Sequence, residues 1–501
     1  MVHRGRLSAA CGPCRSRRLK CDHQKPFCGQ CIRAKRECSG YRDIFAGRFY
    51  DQTEEVKNKN SSLVVSSSPK RRLFESDFTV PLVQEVSIPI ADQGTAFVLS
   101  RYLSTDSLNE PPGPVGNYLP RVINTPPGRA ATASVNAVGL AALSNIHQSS
   151  QLMLAARQEY VSALRETNEA LSDQLLSTSN ASLIAVTFLG MYELMTCDGP
   201  PLMEKYLNHL NGCSQLLHLR GSQQLKDVVG MALFTHFRMT IVLGNFWLKR
   251  PTPSWLVELS HEALSYRAEG DTMGDELFLL MAQAGDLCAG LRNNAVIEPA
   301  KVLKKTLKLD AELGAWAVSV DPERRYTTVR VPEPESDESI GSPSRLIHGS
   351  HYHIYSDTVV STWWNDYRFV RLILLELICW LSDHLARKDE ASGAEYRRTV
   401  ANSIAISQQL TDDICASVPF HLGATATSPY EDWNSTRTGA VIRLIWPLFI
   451  AADTSGVTPQ TVEWISATLF RIGHGMGIRQ ALVMAGLLRE GKHLSWLPEL
   501  G

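Results

Sequence analysis

The sequence predicts a small cysteine-rich module with two short helices folded around metal, followed by a large all-α body. Six of the eleven cysteines in the 501-residue chain lie close together near its start, and apolar residues recur at helical spacing through most of the rest. Charge divides the chain at the same place. Residues 1–50 hold twelve basic and three acidic side chains, so the remainder holds 38 basic and 48 acidic ones. A net charge of +9 beside one of −10 indicates a polyanion-binding module joined to a body that does not bind polyanions.

The clustered cysteines form a repeat. The spacing C-x2-C-x6-C occurs twice, offset by seventeen residues, in Cys11, Cys14, Cys21, Cys28, Cys31 and Cys38. The start of the chain has no apolar core of signal-peptide length, which predicts an intracellular protein. In a reducing compartment, clustered cysteines are metal ligands more often than disulfides.

Six thiolates are enough for two tetrahedral zinc ions if one sulfur from each half bridges both metals. Cys11 and Cys28 are the predicted bridges, because each precedes the helix of its half. Both metals would then be closed by protein ligands, so we expect a structural site whose metal supplies the folding free energy of the module. A redox dithiol and a single zinc with spare thiols are the alternatives, and the doubled spacing disfavours both.

The cations are concentrated in the first half. Its segment 15–20 has four basic residues in six positions, namely Arg15, Arg17, Arg18 and Lys20. The matching segment 32–37 begins with an apolar residue and is less basic. We therefore expect the first helix to face double-stranded DNA, with a salt-dependent affinity because neutralised phosphates release counterions. The second helix is predicted to support the first.

The segment 10–38, ACGPCRSRRLKCDHQKPFCGQCIRAKREC, resembles the binuclear zinc cluster of fungal transcription regulators. The resemblance implies two zinc ions per chain and a first helix that enters the major groove at a CGG-type triplet. It also implies that Arg17 and Arg18 contact bases, and that Arg15 and Lys20 mainly contact phosphates. Arg18 stands where the family usually has Lys. Arg pairs with guanine O6 and N7, which is worth roughly 1–3 kcal/mol of discrimination, but its longer fork can shift the preferred triplet.

The body is predicted to contain about a dozen helices. Apolar periods of a helix run through 181–195, 206–219, Val228–Leu248, 357–385, 396–417 and 462–488. Irregular segments at 109–129 and 321–344 interrupt them. Three segments, 206–221, 414–420 and 446–451, resemble the fungal-specific transcription factor domain, over roughly residues 91–490. The resemblance implies an all-helical regulatory domain that senses a small molecule or a protein regulator.

The predicted domain boundaries are 1–42 for the zinc cluster, 43–90 for a flexible linker and 91–501 for the regulatory domain. A basic cluster at 69–72 is either a nuclear-import signal or a solvated face, and the acidic segment 332–339 is either an activation segment or a solvated insertion. Residues 44–75 show no coiled-coil heptads. Binding to DNA as a monomer, or as a homodimer through the helical domain, is therefore expected.

Together these patterns predict a nuclear, zinc-dependent, sequence-specific transcription factor for RNA polymerase II, with the transcription machinery as partner and no membrane partner. Similar regulators often lie beside the pathway genes that they control, so a specialised-metabolism gene cluster is the expected target. The alternative is a metabolite-sensing or scaffold protein whose zinc cluster serves protein contacts, which would not need four cations in six positions.

An enzyme is not predicted. The pair His209 and Cys213, the glycine-rich segment 473–477 and His261 each lack the partners that catalysis or metal binding would require.

Overall fold

The computed structural model divides the chain into two compact units, residues 1–85 and 86–501. It describes residues 10–17, 19–24, 27–39, 88–102, 119–123, 128–199, 202–267, 272–293, 298–331, 347–388, 392–428 and 438–491. Most of the predicted linker, including the basic cluster at 69–72, lies outside the described residues, as does the acidic segment 332–339. The boundaries at 42 and 90 stay a prediction.

The described part of the first unit contains two one-turn helices, α1 (Gly12–Ser16) and α2 (Gly29–Arg33). The described part of the second unit contains fifteen α-helices. They are α3 (Ile90–Tyr102), α4 (Leu119–Ile123), α5 (Arg129–His147), α6 (Ser150–Ser172), α7 (Asn180–Thr196), α8 (Leu202–Arg220), α9 (Val228–Leu248), α10 (Ser254–Leu264), α11 (Met273–Asn293), α12 (Pro299–Ser319), α13 (Thr358–Lys388), α14 (Gly393–His421), α15 (Thr438–Ala452), α16 (Pro459–Met476) and α17 (Arg479–Arg489). The all-α class predicted for the body is confirmed.

Two helices organise the core of the second unit. The alanine-rich α5 is buried on nearly every side and packs against α3, α6, α7 and α16. The 31-residue α13 packs against α11, α12, α14 and α15. A helix that is buried along most of its length presents little surface to solvent, so other helices must surround it. The second unit is therefore layered around these two helices.

A short hairpin begins in the segment 321–344, where the sequence predicts irregular structure. The strands β1 (Thr327–Arg330) and β2 (His351–Ile354) pair antiparallel, with Thr327 opposite Ile354 and Arg330 opposite His351. β2 lies against α14. Strands of four residues give too short an alternation to distinguish from a loop in sequence, so the hairpin was not predicted.

The predicted helical segment 462–488 is two helices. Gly477 ends α16 in the left-handed region, with φ of 72°. A Cβ there would lie 2.4 Å from the carbonyl oxygen of Ala142, so a side chain would collide with the backbone of α5. Apolar spacing continues across the break, which is why the period alone predicts one element.

The helix α9 is long and apolar enough to cross a membrane by length and composition alone. In the structure it packs against α8 and α11, and ten of its residues are buried. One of these is Arg238, which pairs with the buried Asp275. These contacts are those of a core helix.

Candidate metal centre and nucleic-acid interface

The two halves of the cysteine repeat fold alike. Cys11 directly precedes α1, and Cys28 is the N-cap of α2, where its Sγ accepts the N–H of Cys31 at 3.3 Å. Beyond each helix, the same backbone hydrogen bond closes a turn, from the N–H of one residue to the carbonyl five residues before it. The Leu19 N–H donates to the Cys14 carbonyl at 2.9 Å, and seventeen residues later the Arg36 N–H donates to the Cys31 carbonyl at 3.0 Å.

Two glycines let the halves approach each other reciprocally. A Cβ at Gly12 would lie 2.6 Å from Ser39 Oγ, and a Cβ at Gly29 would lie 2.5 Å from Asp22 Oδ2. Each glycine begins one helix, and its neighbour follows the third cysteine of the other half. Asp22 Oδ1 also accepts the Gly29 N–H at 3.0 Å. Sequence reasoning missed these contacts, although the Cys-Gly dipeptide repeated at the start of both halves marks them.

The six sulfur atoms form two groups of four that share two members. One group is Cys11, Cys14, Cys21 and Cys28, and the other is Cys11, Cys28, Cys31 and Cys38. Within each group the sulfur atoms lie within 4.8 Å of one another. Sγ–Sγ distances of 3.5 Å for Cys11–Cys28 and 3.6 Å for Cys14–Cys28 are close to the edge of a zinc–thiolate tetrahedron, about 3.8 Å for Zn–S bonds of about 2.3 Å. The residues fit two zinc ions.

The thiols of Cys11, Cys14 and Cys31 are unfavourably placed to carry negative charge without metal, because each has a raised pKa. Burial raises the pKa of Cys14, and contact with Cys28 together with burial raises the pKa of Cys31 to about 12. The pKa of Cys21 is lowered instead, because backbone N–H groups of Cys11 and His23 stabilise its thiolate. Zinc held by the six cysteines would supply the positive charge that lets their buried thiols ionise.

The basic residues of the first half lie on and after α1. Arg17 and Lys20 are exposed, and Arg15 lies in α1. Arg18 lies outside the described residues. In the second half, the Arg33 Nε–H donates to the Gly29 carbonyl at 3.3 Å, so that side chain folds back on its own helix.

The structure places the three enzyme-like groups considered in the sequence on helices of the second unit or at the end of one. Cys213 is buried, with Sγ 3.4 Å from Thr187 Oγ1. The segment 473–477 is the carboxyl end of α16, the wrong end of a helix for binding phosphate. His261 lies in α10, next to Glu262, which accepts a hydrogen bond from Ser222 Oγ at 2.6 Å.

Comparison with known proteins gives two family matches. Residues 9–46 match the fungal Zn(2)-Cys(6) binuclear cluster domain, and residues 117–329 match the fungal specific transcription factor domain. The chain therefore carries a fungal binuclear zinc cluster domain, followed by a fungal specific transcription factor domain. The cofactor of this zinc cluster protein is therefore zinc, two ions per chain, as predicted. The later segments 414–420 and 446–451 lie outside the second match.

Curated relatives of this zinc cluster protein are transcription regulators by name. Transcription factor dbaG of Emericella nidulans is 30% identical over 200 residues, which cover 38% of this chain and 45% of that relative. White-opaque regulator 2 of Candida albicans is 49% identical over 39 residues, 8% of this chain and 9% of that protein. Transcriptional regulatory protein moc3 of Schizosaccharomyces pombe is 53% identical over 36 residues, 7% of each chain. The chain thus spans less than half of the length of these relatives.

No solved structure matches the zinc cluster protein significantly. Both matched families are transcription factor families and not enzyme families.

Proposed function

We propose that this chain is a zinc-dependent, sequence-specific DNA-binding regulator of RNA polymerase II transcription that acts in the nucleus on CGG-type triplets. The observation that carries the proposal is the pair of sulfur tetrads sharing Cys11 and Cys28, with the exposed cations Arg17 and Lys20 following α1. All six clustered cysteines are proposed ligands, and Cys11 and Cys28 are the proposed bridges.

The cluster acts by rigidity and charge. A module of about forty residues buries too little apolar surface to hold a helix in place unaided, so the metal-linked halves fix the direction of α1. Arg17 and Arg18 are proposed to contact base edges, since guanidinium forks pair with guanine O6 and N7. Arg15 and Lys20 are proposed to contact phosphates, which position the protein without specifying sequence.

The first test measures zinc content and DNA affinity in the full chain. We expect two zinc ions per chain, and loss of specific DNA binding after Cys28→Ser, because that change removes a ligand from both tetrads. The matched control is Cys288→Ser, a half-buried cysteine of the second unit, which should retain both zinc ions and DNA binding. One zinc per chain, or unchanged binding by the Cys28 variant, would contradict the proposal.

The second test separates base contacts from phosphate contacts by binding-site selection. Arg18→Ala should relax the preference at one base pair, at a cost of roughly 1–3 kcal/mol for the best site. Lys20→Ala should weaken binding to all sequences about equally. It should also reduce the slope of log affinity against log salt concentration by about one. Arg33→Ala in the second half should change neither. Selection of unrelated sites by the unaltered chain would refute the CGG assignment alone.

The rival function is a scaffold or metabolite sensor that uses the cluster for protein contacts. Three large apolar side chains of the module favour it, since Leu19, Phe27 and Ile32 are each at least 50% exposed. A titration of binding to random duplex DNA at increasing salt concentration decides between the two functions. The DNA affinity of a protein-contact module would not depend on salt.

The proposals for the target genes and for the partners of the helical domain rest on what is usual among similar regulators. We propose that the targets form a specialised-metabolism gene cluster, and that the helical domain dimerises or contacts the transcription machinery. Chromatin immunoprecipitation in the source cell tests the targets, and sedimentation of the full chain with and without DNA tests the dimer. Binding spread over housekeeping genes would reject the pathway assignment.

A further inference from the structure

The second unit contains a partly open cavity of about 60 Å³. Its walls come from α7, α8, α9, α13, α15 and α17, which the chain brings together from residues almost three hundred positions apart. Four aromatic side chains line it, namely Tyr206, Trp247, Phe369 and Trp446. The indole rings of Trp247 and Trp446 meet edge to face with centroids 4.5 Å apart. This wall is suited to an aromatic ring.

A cationic side chain, that of Arg443, also lines the cavity. Arg443 donates from Nη2 to Asp366 Oδ2 at 2.6 Å and from Nη1 to Thr240 Oγ1 at 2.9 Å. Its Nε is buried and has no hydrogen-bond partner among the described residues. A buried donor left unpaired lowers the stability of the folded state. An acceptor on a bound molecule would recover that free energy.

Among the described residues, the charge of Arg443 is balanced by Asp366. Asp366 is 1% exposed and pairs with it. Burial, together with Arg443 itself, lowers the pKa of His236 to about 3, and burial raises the pKa of Tyr206 to about 12. Both are neutral near pH 7. A carboxylate entering the cavity would therefore bury an uncompensated negative charge, whereas an uncharged acceptor would not.

The volume limits the size of the occupant. A water molecule needs roughly 10–15 Å³ of such space, so the cavity of about 60 Å³ holds about four to six waters, or one small ring. We propose that this cavity is a binding site for an uncharged, single-ring aromatic compound with a hydrogen-bond acceptor. The ring packs against Trp247 and Trp446, and the acceptor receives the Arg443 Nε–H. The site goes beyond DNA binding and does not depend on it.

Binding is tested on the full chain with four probes by calorimetry and tryptophan fluorescence. Phenol has the ring and the acceptor, toluene lacks the acceptor, cyclohexanol lacks the aromatic ring, and benzoate adds a charge. We expect a dissociation constant below about 1 mM for phenol, about fivefold weaker binding of toluene and cyclohexanol, and no benzoate binding. Failure of phenol to bind, or equal binding of benzoate, overturns the proposal.

Two variants locate the site. Ile442→Phe adds volume to the half-buried cavity wall and should abolish phenol binding, whereas Ile406→Phe on the exposed side of α14 should not change it. The double variant R443M/D366L removes donor and charge together, so it should retain toluene binding and lose the preference for phenol. Unchanged phenol affinity in the Ile442 variant would overturn the assignment.

DNA affinity is measured on the same samples. A chain that binds phenol but no DNA contradicts only the proposed function. A chain that binds DNA but no phenol contradicts only this site.

Discussion

In both units of the protein, single residues determine how closely neighbouring segments of the chain approach each other. In the zinc cluster, Gly12 and Gly29 admit Ser39 and Asp22 from opposite halves, and the shortness of these contacts leaves no room for a side chain. In the second unit, the carboxylate of Asp275 pairs with the guanidinium groups of Arg238 and Arg267. These positions matter because buried polar groups must be matched one by one, with no solvent to compensate an error.

Asp22 is predicted to stabilise the zinc cluster. Its Oδ1 accepts the Gly29 N–H at the start of α2, so Asp22→Ala should weaken zinc retention by about 0.5–2 kcal/mol, up to about thirtyfold in a chelator competition. Asp22→Asn is the matched control, because it retains an acceptor oxygen. Equal zinc loss in the two variants would show that the hydrogen bond contributes nothing.

Asp275 is predicted to be essential for folding of the second unit. It pairs with Arg238, whose side chain is fully buried between Phe234 and Phe278, and with Arg267 Nε at 2.9 Å. Asp275→Asn would leave two cations without a counterion, at an expected cost of about 3–5 kcal/mol in urea denaturation.

The control for this prediction is an exposed ion pair. Glu298→Gln breaks the contact with Lys301, where both side chains are more than 60% exposed. That loss should stay below about 1 kcal/mol. Similar losses in the two variants would refute the importance of burial at Asp275.

At the scale of elements, the crossing of α3 and α5 depends on two facing glycines. A Cβ at Gly139 would lie 2.0 Å from the carbonyl oxygen of Gly94, and a Cβ at Gly94 would lie 2.7 Å from the carbonyl oxygen of Asn136. Both collisions are with backbone, which cannot rotate away as a side chain can. The helices therefore pack at a distance that only glycine permits.

Gly139→Ala is predicted to release α3 from the body. The expected destabilisation exceeds the gain of about 1 kcal/mol that alanine brings to a helix interior, and it should appear as faster amide exchange throughout Ile90–Tyr102. Gly314→Ala in α12 is the matched control, since a Cβ there meets nothing within 4 Å, and it should be neutral or stabilising. Unaltered protection of the α3 amides from exchange would contradict the requirement for glycine where α3 and α5 cross.

At the scale of the whole molecule, the second unit buries several neutral histidines. Burial is the main cause that lowers the pKa of His353 to about 2 and of His421 to about 3, and Arg368 lowers both further. His421 Nε2 lies 3.2 Å from Asn365 Nδ2, which donates to it when the imidazole is neutral. The folded protein therefore excludes protons that the unfolded chain accepts near pH 6.5.

The stability of the second unit is predicted to fall as the pH drops from about 6.5 to 5. In this window the unfolded chain protonates these histidines and the folded chain does not, so each contributes a loss of up to about 1.4 kcal/mol per pH unit. All ten tryptophans lie in residues 86–501, so fluorescence in urea reports this unit. His421→Gln retains an acceptor without titrating. It should reduce the slope of the unfolding free energy against pH by the equivalent of up to one proton. An unchanged slope in this variant would refute the role of His421.

The zinc cluster could be predicted almost entirely from the sequence. Its ligands lie within 28 residues, so their spacing alone limits which sulfurs can share a metal, and the family match confirms zinc. The helical class of the body was equally accessible, because apolar periodicity is a local property. The break at Gly477 was not, since the carbonyl of Ala142 that requires it lies more than three hundred residues away.

The sequence by itself determined a metal-bound basic module and a helical body, because ligand spacing, charge and helical period are all encoded within a few turns of chain. Only the tertiary structure decided which helices meet at Gly94 and Gly139, and that Asp366 neutralises Arg443 beside a cavity while Thr240 accepts a hydrogen bond from it. Those contacts join residues that are 45 to more than 200 positions apart. Local pattern has no information about them, because the free energy that selects them comes from packing the whole body at once.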